Sequence, residues 1–244
     1  MSKATSVKGW SFLIEGWRDS DNYICYNRVM NINTSAERIM VFGDSLSWGY
    51  QPGTKHLRFD AQTRWPGRLQ MLLGDGYEII EENLNSRGIE NGDPRPGKEG
   101  RVAMDYIEAA LDSQDPLDRV IVLLGTNELK NEMGMSAEQV GLSMEKLLTV
   151  IKARQSQFRG TTPEVLLLSL PIIYEDTEYC RTGDKYLGAT EKAQELVGVY
   201  ERLAAKLGIG FIALNGIVPG VDGIHIDADQ HAKVADLVHA ALVE

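Results

Sequence analysis

Cysteine is scarce: Cys25 and Cys180 are the only two in 244 residues, and neither belongs to a CxxC spacing. That excludes a disulfide framework and a thiolate zinc site, and a reduced, cytoplasmic protein is expected. Positive charge is also short, with 25 lysines and arginines against 35 aspartates and glutamates and a net charge of -10. No basic cluster interrupts this balance, so nucleic acid is not an expected partner, because phosphate binding needs clustered cations. Long hydrophobic runs are missing too. None approaches the ~18 residues of a membrane span, and the apolar part of "MSKATSVKGWSFLIEGW" is too short and interrupted for a signal peptide. No histidine–carboxylate cluster has metal-ligand spacing, so neither a metal nor another cofactor is expected.

What is present suffices for one sizeable core. Hydrophobic residues make up 43% of the chain and charged residues 25%, and the length suits a single α/β unit. From Arg38 onward, short apolar runs alternate with segments of helical period. The runs are "RIMVF", "YEIIEENL", "RVIVLLG", "EVLLLSL" and "GFIAL". Three are nearly continuous in apolar residues, as parallel strands covered on both faces require. Between them, Ser136 to Gln139 forms a capping box, followed by Val140, Met144, Leu147, Leu148 and Ile151 on one helical face. In the last segment Asp227 suits an N-cap, ahead of a stripe of Val234, Leu237, Val238 and Ala241. Five strands joined by right-handed helical crossovers predict a three-layer αβα sandwich around a five-stranded parallel sheet. Residues 38–244 form this domain. Residues 1–37 stand outside the pattern, and "SFLIEGW", "RDSDN" and "YICYNRV" read as strand, turn and strand. They predict a hairpin or arm packed on the main domain, with a role in self-association or in bordering the site as the alternative.

Ligands of such sheets bind at the carboxyl ends of the strands, so the residues after each run are the ones to inspect. Gly43-Asp44-Ser45 follows the first run, "NLNSRG" the second, "GTNE" the third, and "VDGIH" comes after the fifth run and a loop. A serine hydroxyl becomes a nucleophile when a general base removes its proton, and histidine is the usual base near neutral pH. That histidine needs an acceptor on its other nitrogen, and the tetrahedral oxyanion needs donors aimed at it. Ser45, His225, Asp222, Asn127 and the turn N–H groups can supply each part. His225 lies on a loop before the final helix, three residues after Asp222. His231 and His239 fall within that helix and read as structural, and His56 reads as a solvated loop residue, with lining the substrate entrance as the alternative. Each fragment alone is an ordinary turn; their order and shared position after strands carry the argument.

Three of these fragments resemble sequence blocks of the GDSL-type SGNH hydrolases, a superfamily of esterases, lipases and acyltransferases on a flavodoxin-like sheet. "VFGDSLSWG" is similar to the first block, with the nucleophile at Ser45. "LLGTNELK" is similar to the third, with the oxyanion asparagine at Asn127, and "DGIH" to the fifth, with Asp222 and His225. The resemblance covers roughly Arg38 to Glu244. In the second block the family usually has a glycine whose backbone N–H joins the oxyanion hole; here Ser86 falls at that position, with Gly88 as the alternative. Glu128 stands where aspartate is more usual.

"GDSLSWGY", "RWPGRLQ" and "IIEENL" further resemble the intracellular arylesterase and acyltransferase branch. That resemblance implies short acyl groups, an ester substrate with water or an alcohol as acceptor, and a homo-oligomer. A related acetyl-carbohydrate esterase and a non-catalytic binding domain are the alternatives. Three loops, "YQPGTKHLRFDAQ", "NGDPRPGKEGR" and "PIIYEDTEYCRTGDKY", should crowd the same sheet edge and form pocket walls. Asp44, Trp48, Trp65 and Tyr174 are the candidates for lining that pocket, with packing the alternative for the two tryptophans and a solvated loop for the tyrosine. With Tyr174, the residues Tyr179, Arg181 and Tyr186 of the third loop are candidates for reading a polar acyl or sugar group, a solvated surface loop being the alternative.

Overall fold

The computed structural model describes residue 31 and residues 33–243. The compact unit that carries the sheet begins at Asn33, and the hairpin or arm expected before it lies outside the described residues.

All five apolar runs form strands: β1 (Glu37–Gly43), β2 (Tyr77–Asn83), β3 (Arg119–Leu123), β4 (Glu164–Leu168) and β5 (Gly210–Ile212). They pair in parallel in the order β2-β1-β3-β4-β5, the flavodoxin-like arrangement. Ile39 to Phe42 and Val120 to Leu123 are fully enclosed, because helices cover both faces of the central strands. The edge strand β2 is different. Only Ile79 is buried there, and two of its glutamates pair with arginines: both oxygens of Glu81 accept from Arg64 at 2.7 Å, and Glu78 accepts from Arg38 at 2.7 Å. Charged side chains on an edge strand oppose pairing with another sheet.

The helices are α1 (Ser45–Trp48), α2 (Trp65–Leu73), α3 (Ala103–Ser113), α4 (Ala137–Ala153), α5 (Glu178–Arg181), α6 (Ala189–Leu207) and α7 (Ala228–Val243). Helix α2 packs on α7, while α4 packs on α3 and α6. This grouping follows from the strand order, since the chain moves from β1 to β2 on one side, then returns past β1 to β3. The capping box of α4 forms as expected: Ser136 Oγ accepts from the Gln139 N–H at 3.3 Å, and Gln139 Oε1 from the Ser136 N–H at 2.9 Å. Behind it Val140, Met144, Leu147, Leu148 and Ile151 are all buried.

In α7 the apolar face is rotated from the expected stripe. Val234 and Val238 are buried, but Leu237 is 43% exposed and Ala241 is exposed. His231 and Ala235 complete the buried face, at the i, i+3, i+4, i+7 positions of one helical stripe. The ring of His231 occupies a place that an apolar pattern leaves unscored.

Because the chain reverses direction at β1, a crevice opens between the loops that follow β1 and β3. The ends of β1, β2 and β3 are in register, with Gly43 opposite both Asn83 and Leu123. Three of the four predicted strand-end fragments therefore emerge side by side.

Candidate active site

The loop after β1 turns directly into a single helical turn. Asp44 is its N-cap, and its Oδ1 accepts from the Leu46 N–H at 2.9 Å. Ser45 is thus the first helical residue, where the N–H has no partner inside the helix. Gly43 is needed for close approach: a Cβ there would lie 2.5 Å from Ser47 Oγ. Ser47 itself is fully buried beneath the turn.

The loop before α7 brings the other partners. Asp222 Oδ1 accepts from the N–H groups of Ile224 at 3.0 Å and His225 at 2.8 Å, fixing the loop as a tight turn. Gly223 has φ +78, and a Cβ on it would meet the Tyr174 carbonyl oxygen at 2.1 Å. Asp222 Oδ2 lies 2.7 Å from His225 Nδ1, and His225 Nε2 lies 3.0 Å from Ser45 Oγ. Burial alone would raise the pKa of Asp222, but the hydrogen bonds and charge of His225, with the two turn N–H groups, lower it below the usual carboxylate range. An ionised Asp222 accepts, so Nδ1 carries the proton and Nε2 is free to accept from the Ser45 hydroxyl. The Tyr50 ring stacks on the imidazole at 4.3 Å.

The loops after β2 and β3 meet over this pair. Arg87 is buried, with its guanidinium 4.2 Å over the Phe42 ring, and donates to the carbonyls of Gly43 and Glu82, binding the ends of β1 and β2 together. Its pKa is pushed down to about 10 by burial. Asn127 Nδ2 donates to the Arg87 carbonyl at 3.0 Å and to Asp44 Oδ2 at 3.2 Å. Ser86 adopts φ +63, the left-handed region that favours glycine, which is a physical reason for the glycine expected at this position. Its N–H has no hydrogen-bond partner among the described residues. The N–H of Gly88, by contrast, donates to the Arg101 carbonyl at 2.9 Å, and Gly88 is not among the residues that line the cleft. Glycine at 88 answers a packing demand, since a Cβ would meet the Asn91 carbonyl oxygen at 2.0 Å.

Ser45, Ser86, Asn127 and His225 line one small cleft of about 60 Å³. A family model described as the GDSL-like lipase/acylhydrolase family matches residues 41–239. The chain belongs to this family. As a member, it is a carboxylic ester hydrolase. Among solved structures, Est24, a carbohydrate acetylesterase from Sinorhizobium meliloti, is 30% identical, with a TM-score of 0.78 over 84% of this chain and 98% of its own. An aryl esterase of M. smegmatis is 31% identical, with a TM-score of 0.79 over 85% of this chain and 98% of its own. A carbohydrate acetylesterase family member from Sinorhizobium meliloti is 26% identical, with a TM-score of 0.77 over 84% and 97%. Among curated proteins none matches the chain.

Around the cleft of this hydrolase, all three expected loops supply walls: Tyr50 and His56 from the first, Arg95 and Lys98 from the second, Tyr179, Lys185 and Tyr186 from the third. None of the four residues expected to line the pocket does so. Asp44 is fully buried beneath Asn127, and desolvation raises its pKa to about 6 against the lowering effects of the Leu46 N–H and nearby cations. Trp48 packs under the Arg58 guanidinium at 4.9 Å. Trp65 is in the core, and its backbone N–H donates to His231 Nδ1 at 3.3 Å. Burial lowers the pKa of His231 to about 3, so it is neutral and structural, as expected. Tyr174 is 47% exposed, and its role is through the backbone, donating to the Gly223 carbonyl at 2.9 Å. Glu128 is buried below the β3 loop and accepts from the Ile89 N–H.

Sequence reasoning missed Tyr50, Lys130, Arg95, Lys98 and Lys185 as cleft residues. Lys130, three residues after Asn127 in "GTNELK", carries the one signal that could have found it. The others sit in loops without periodicity.

Proposed function

We propose that this hydrolase cleaves short-chain carboxylic esters through Ser45, His225 and Asp222, with the oxyanion held by the N–H groups of Ser45 and Ser86 and the amide of Asn127. The observation that carries the reading is the unbroken line from Asp222 Oδ2 through His225 to Ser45 Oγ, with contacts of 2.7 and 3.0 Å. Ser45 Oγ attacks the ester carbonyl as its proton passes to His225 Nε2, and Asp222 stabilises the imidazolium. The carbonyl oxygen becomes an oxyanion, and the Asn127 proton that faces Asp44 turns toward it. His225 then returns the proton to the departing alcohol, leaving an acyl group on Ser45. Water, or a second alcohol, repeats the sequence in reverse and frees the serine. The small cleft supports short acyl chains.

Ser45→Ala tests the assignment. Hydrolysis of para-nitrophenyl acetate should fall by ~10⁴-fold or more, and a fluorophosphonate probe should label the parent and not the variant. An unlabelled, correctly folded parent would instead favour a binding domain on this fold. Two of the similar structures are described as carbohydrate acetylesterases and one as an aryl esterase. Acetylated sugars assayed beside aryl acetates separate these alternatives, and added alcohol measures acyl transfer. The same reading includes a homo-oligomer, checked by sedimentation, and a cytoplasmic location, supported by the absence of a disulfide framework. Among the described residues no helix is long and apolar enough to cross a membrane.

A further inference from the structure

Among the described residues the cleft is lined by four cations, Arg95, Lys98, Lys130 and Lys185, and by no carboxylate. This occurs in a chain whose net charge is -10. Asp93, buried behind the wall, is the one acid among the described residues that is bonded to this group. It accepts from both Nε and Nη2 of Arg95 and from Lys130 Nζ at 3.3 Å. Burial opposes its ionisation, yet these bonds hold Asp93 well below the usual carboxylate range. The four cations thus share one bonded carboxylate, while Asp44 and Glu128 act on Lys130 from beneath the floor. Glu132, which also acts on Arg95 and Lys185, is exposed and outside the cleft lining.

The cations are held as a wall and not as a loose surface. Arg95 Nη2 also donates to Ser86 Oγ at 3.3 Å, which sets the guanidinium at the proposed oxyanion end. Lys185 Nζ donates to the Tyr179 hydroxyl at 2.6 Å and lies 4.1 Å from the centre of that ring. The Lys98 ammonium makes no hydrogen bond or ion pair among the described residues, although its backbone N–H donates to the Arg95 carbonyl at 3.1 Å. Desolvation lowers the pKa of Lys98, and the charges of Arg101 and Arg95 lower it further against a smaller opposing pull from Asp93, as crowded cations do. Lys185 is shifted the same way, by burial first and then by Arg95. Such a wall is unfavourable when empty, and an anion in the cleft would relieve it. Low-dielectric walls also focus the field on an approaching ligand.

We infer that the natural substrate is an anionic ester, bearing a carboxylate, phosphate or sulfate on its acyl or alcohol part, and that Arg95, Lys98 and Lys185 hold that group beside Ser45. This rests on the proposed ester hydrolysis at Ser45 and adds the substrate class.

Matched ester pairs test it. On the alcohol side, meta-acetoxybenzoate is compared with meta-acetoxybenzamide. On the acyl side, the para-nitrophenyl half-ester of succinic acid is compared with para-nitrophenyl pentanoate, after subtraction of the uncatalysed rate. The anionic member of at least one pair should be favoured about tenfold or more in kcat/KM at low salt, and the preference should shrink as ionic strength rises. The pair that shows it assigns the anion to the acyl or the alcohol part. In Lys98→Gln/Lys185→Gln the ratio of anionic to neutral kcat/KM should collapse by about tenfold. Turnover of the neutral esters with no anionic preference in either pair would overturn this inference and leave the ester hydrolase reading intact. A preference that survives unchanged in the double variant would overturn the assignment to these lysines. No turnover of any of the four esters would overturn the parent reading, and this one with it.

Discussion

The floor of the cleft and its walls are held by different means. Ser45, Asn127, Asp222 and His225 stand just beyond strands or at the entry to the last helix, and each is fixed by backbone hydrogen bonds or by another floor residue. Arg95, Lys98, Tyr179 and Lys185 come from two loops, with Arg95 held by Asp93 and Lys185 by Tyr179 through side-chain contacts. Rigid placement suits groups that must meet a developing charge to within a fraction of an ångström. Loops that differ in length and charge suit the choice of substrate. On the proposed mechanism the reaction belongs to the floor and its specificity to the walls, so substitutions in the two regions should separate in kind: loss of kcat below, change of substrate ratio above.

The strongest way to break that division is Asp222→Asn. The amide oxygen can still accept from the turn N–H groups, so the loop survives, but the imidazole is left in the wrong tautomer for accepting from Ser45. The expected fall in kcat is ~10⁴-fold for both anionic and neutral esters, measured by steady-state kinetics. A loss confined to one ester class would mean that the floor also selects substrate.

Asn127→Ala should have the next largest effect, ~10²–10³-fold in kcat with little change in KM, since the oxyanion exists only after attack begins. If KM rose instead and kcat held, Asn127 would be binding the ground state, and its donors would belong with the walls.

The same division explains what could be read from the chain. The floor is legible because strand ends are fixed by apolar runs, and the short spacing from Asp222 to His225 lets one carboxylate reach one imidazole. The sheet order follows from handedness once five runs and their crossovers are recognised. The walls are not legible. Arg95, Lys98, Lys130 and Lys185 are spread over three loops and make no basic cluster in sequence, so only the folded chain gathers them. The pocket candidates failed for a related reason: Trp48 and Trp65 lie close to the floor in sequence, but helical turns carry their rings away from the cleft and into packing. Ser86 was legible only by alignment of strand ends, and its left-handed φ was not.

The smallest effect is expected below the floor, at Glu128, and there the readout is stability. Burial raises its pKa from 4.5 to about 7, with the Ile89 N–H and Lys130 opposing and Asp44 adding to the rise; Asp44 is itself raised to about 6. For both groups the folded state binds more protons than the unfolded state between the ordinary and the raised pKa. Stability therefore falls as pH climbs through these intervals and is lowest, as far as these two groups decide, above pH ~7. At about 1.4 kcal/mol per pKa unit, ionised Glu128 costs the fold roughly 3 kcal/mol at pH 8. Glu128→Gln keeps an oxygen for the Ile89 N–H, which anchors the loop carrying Ser86 and Arg87, and removes the buried charge. The melting temperature of the parent should be higher at pH 5 than at pH 8, and the variant should close part of that gap by gaining several degrees at pH 8. Calorimetry at the two pH values checks this. Because the amide still holds the Ile89 N–H, kcat should change by less than threefold or so, well below the ~10²-fold expected from a lost oxyanion donor. A larger loss would show that the floor needs the charge of Glu128 and not merely its hydrogen bond.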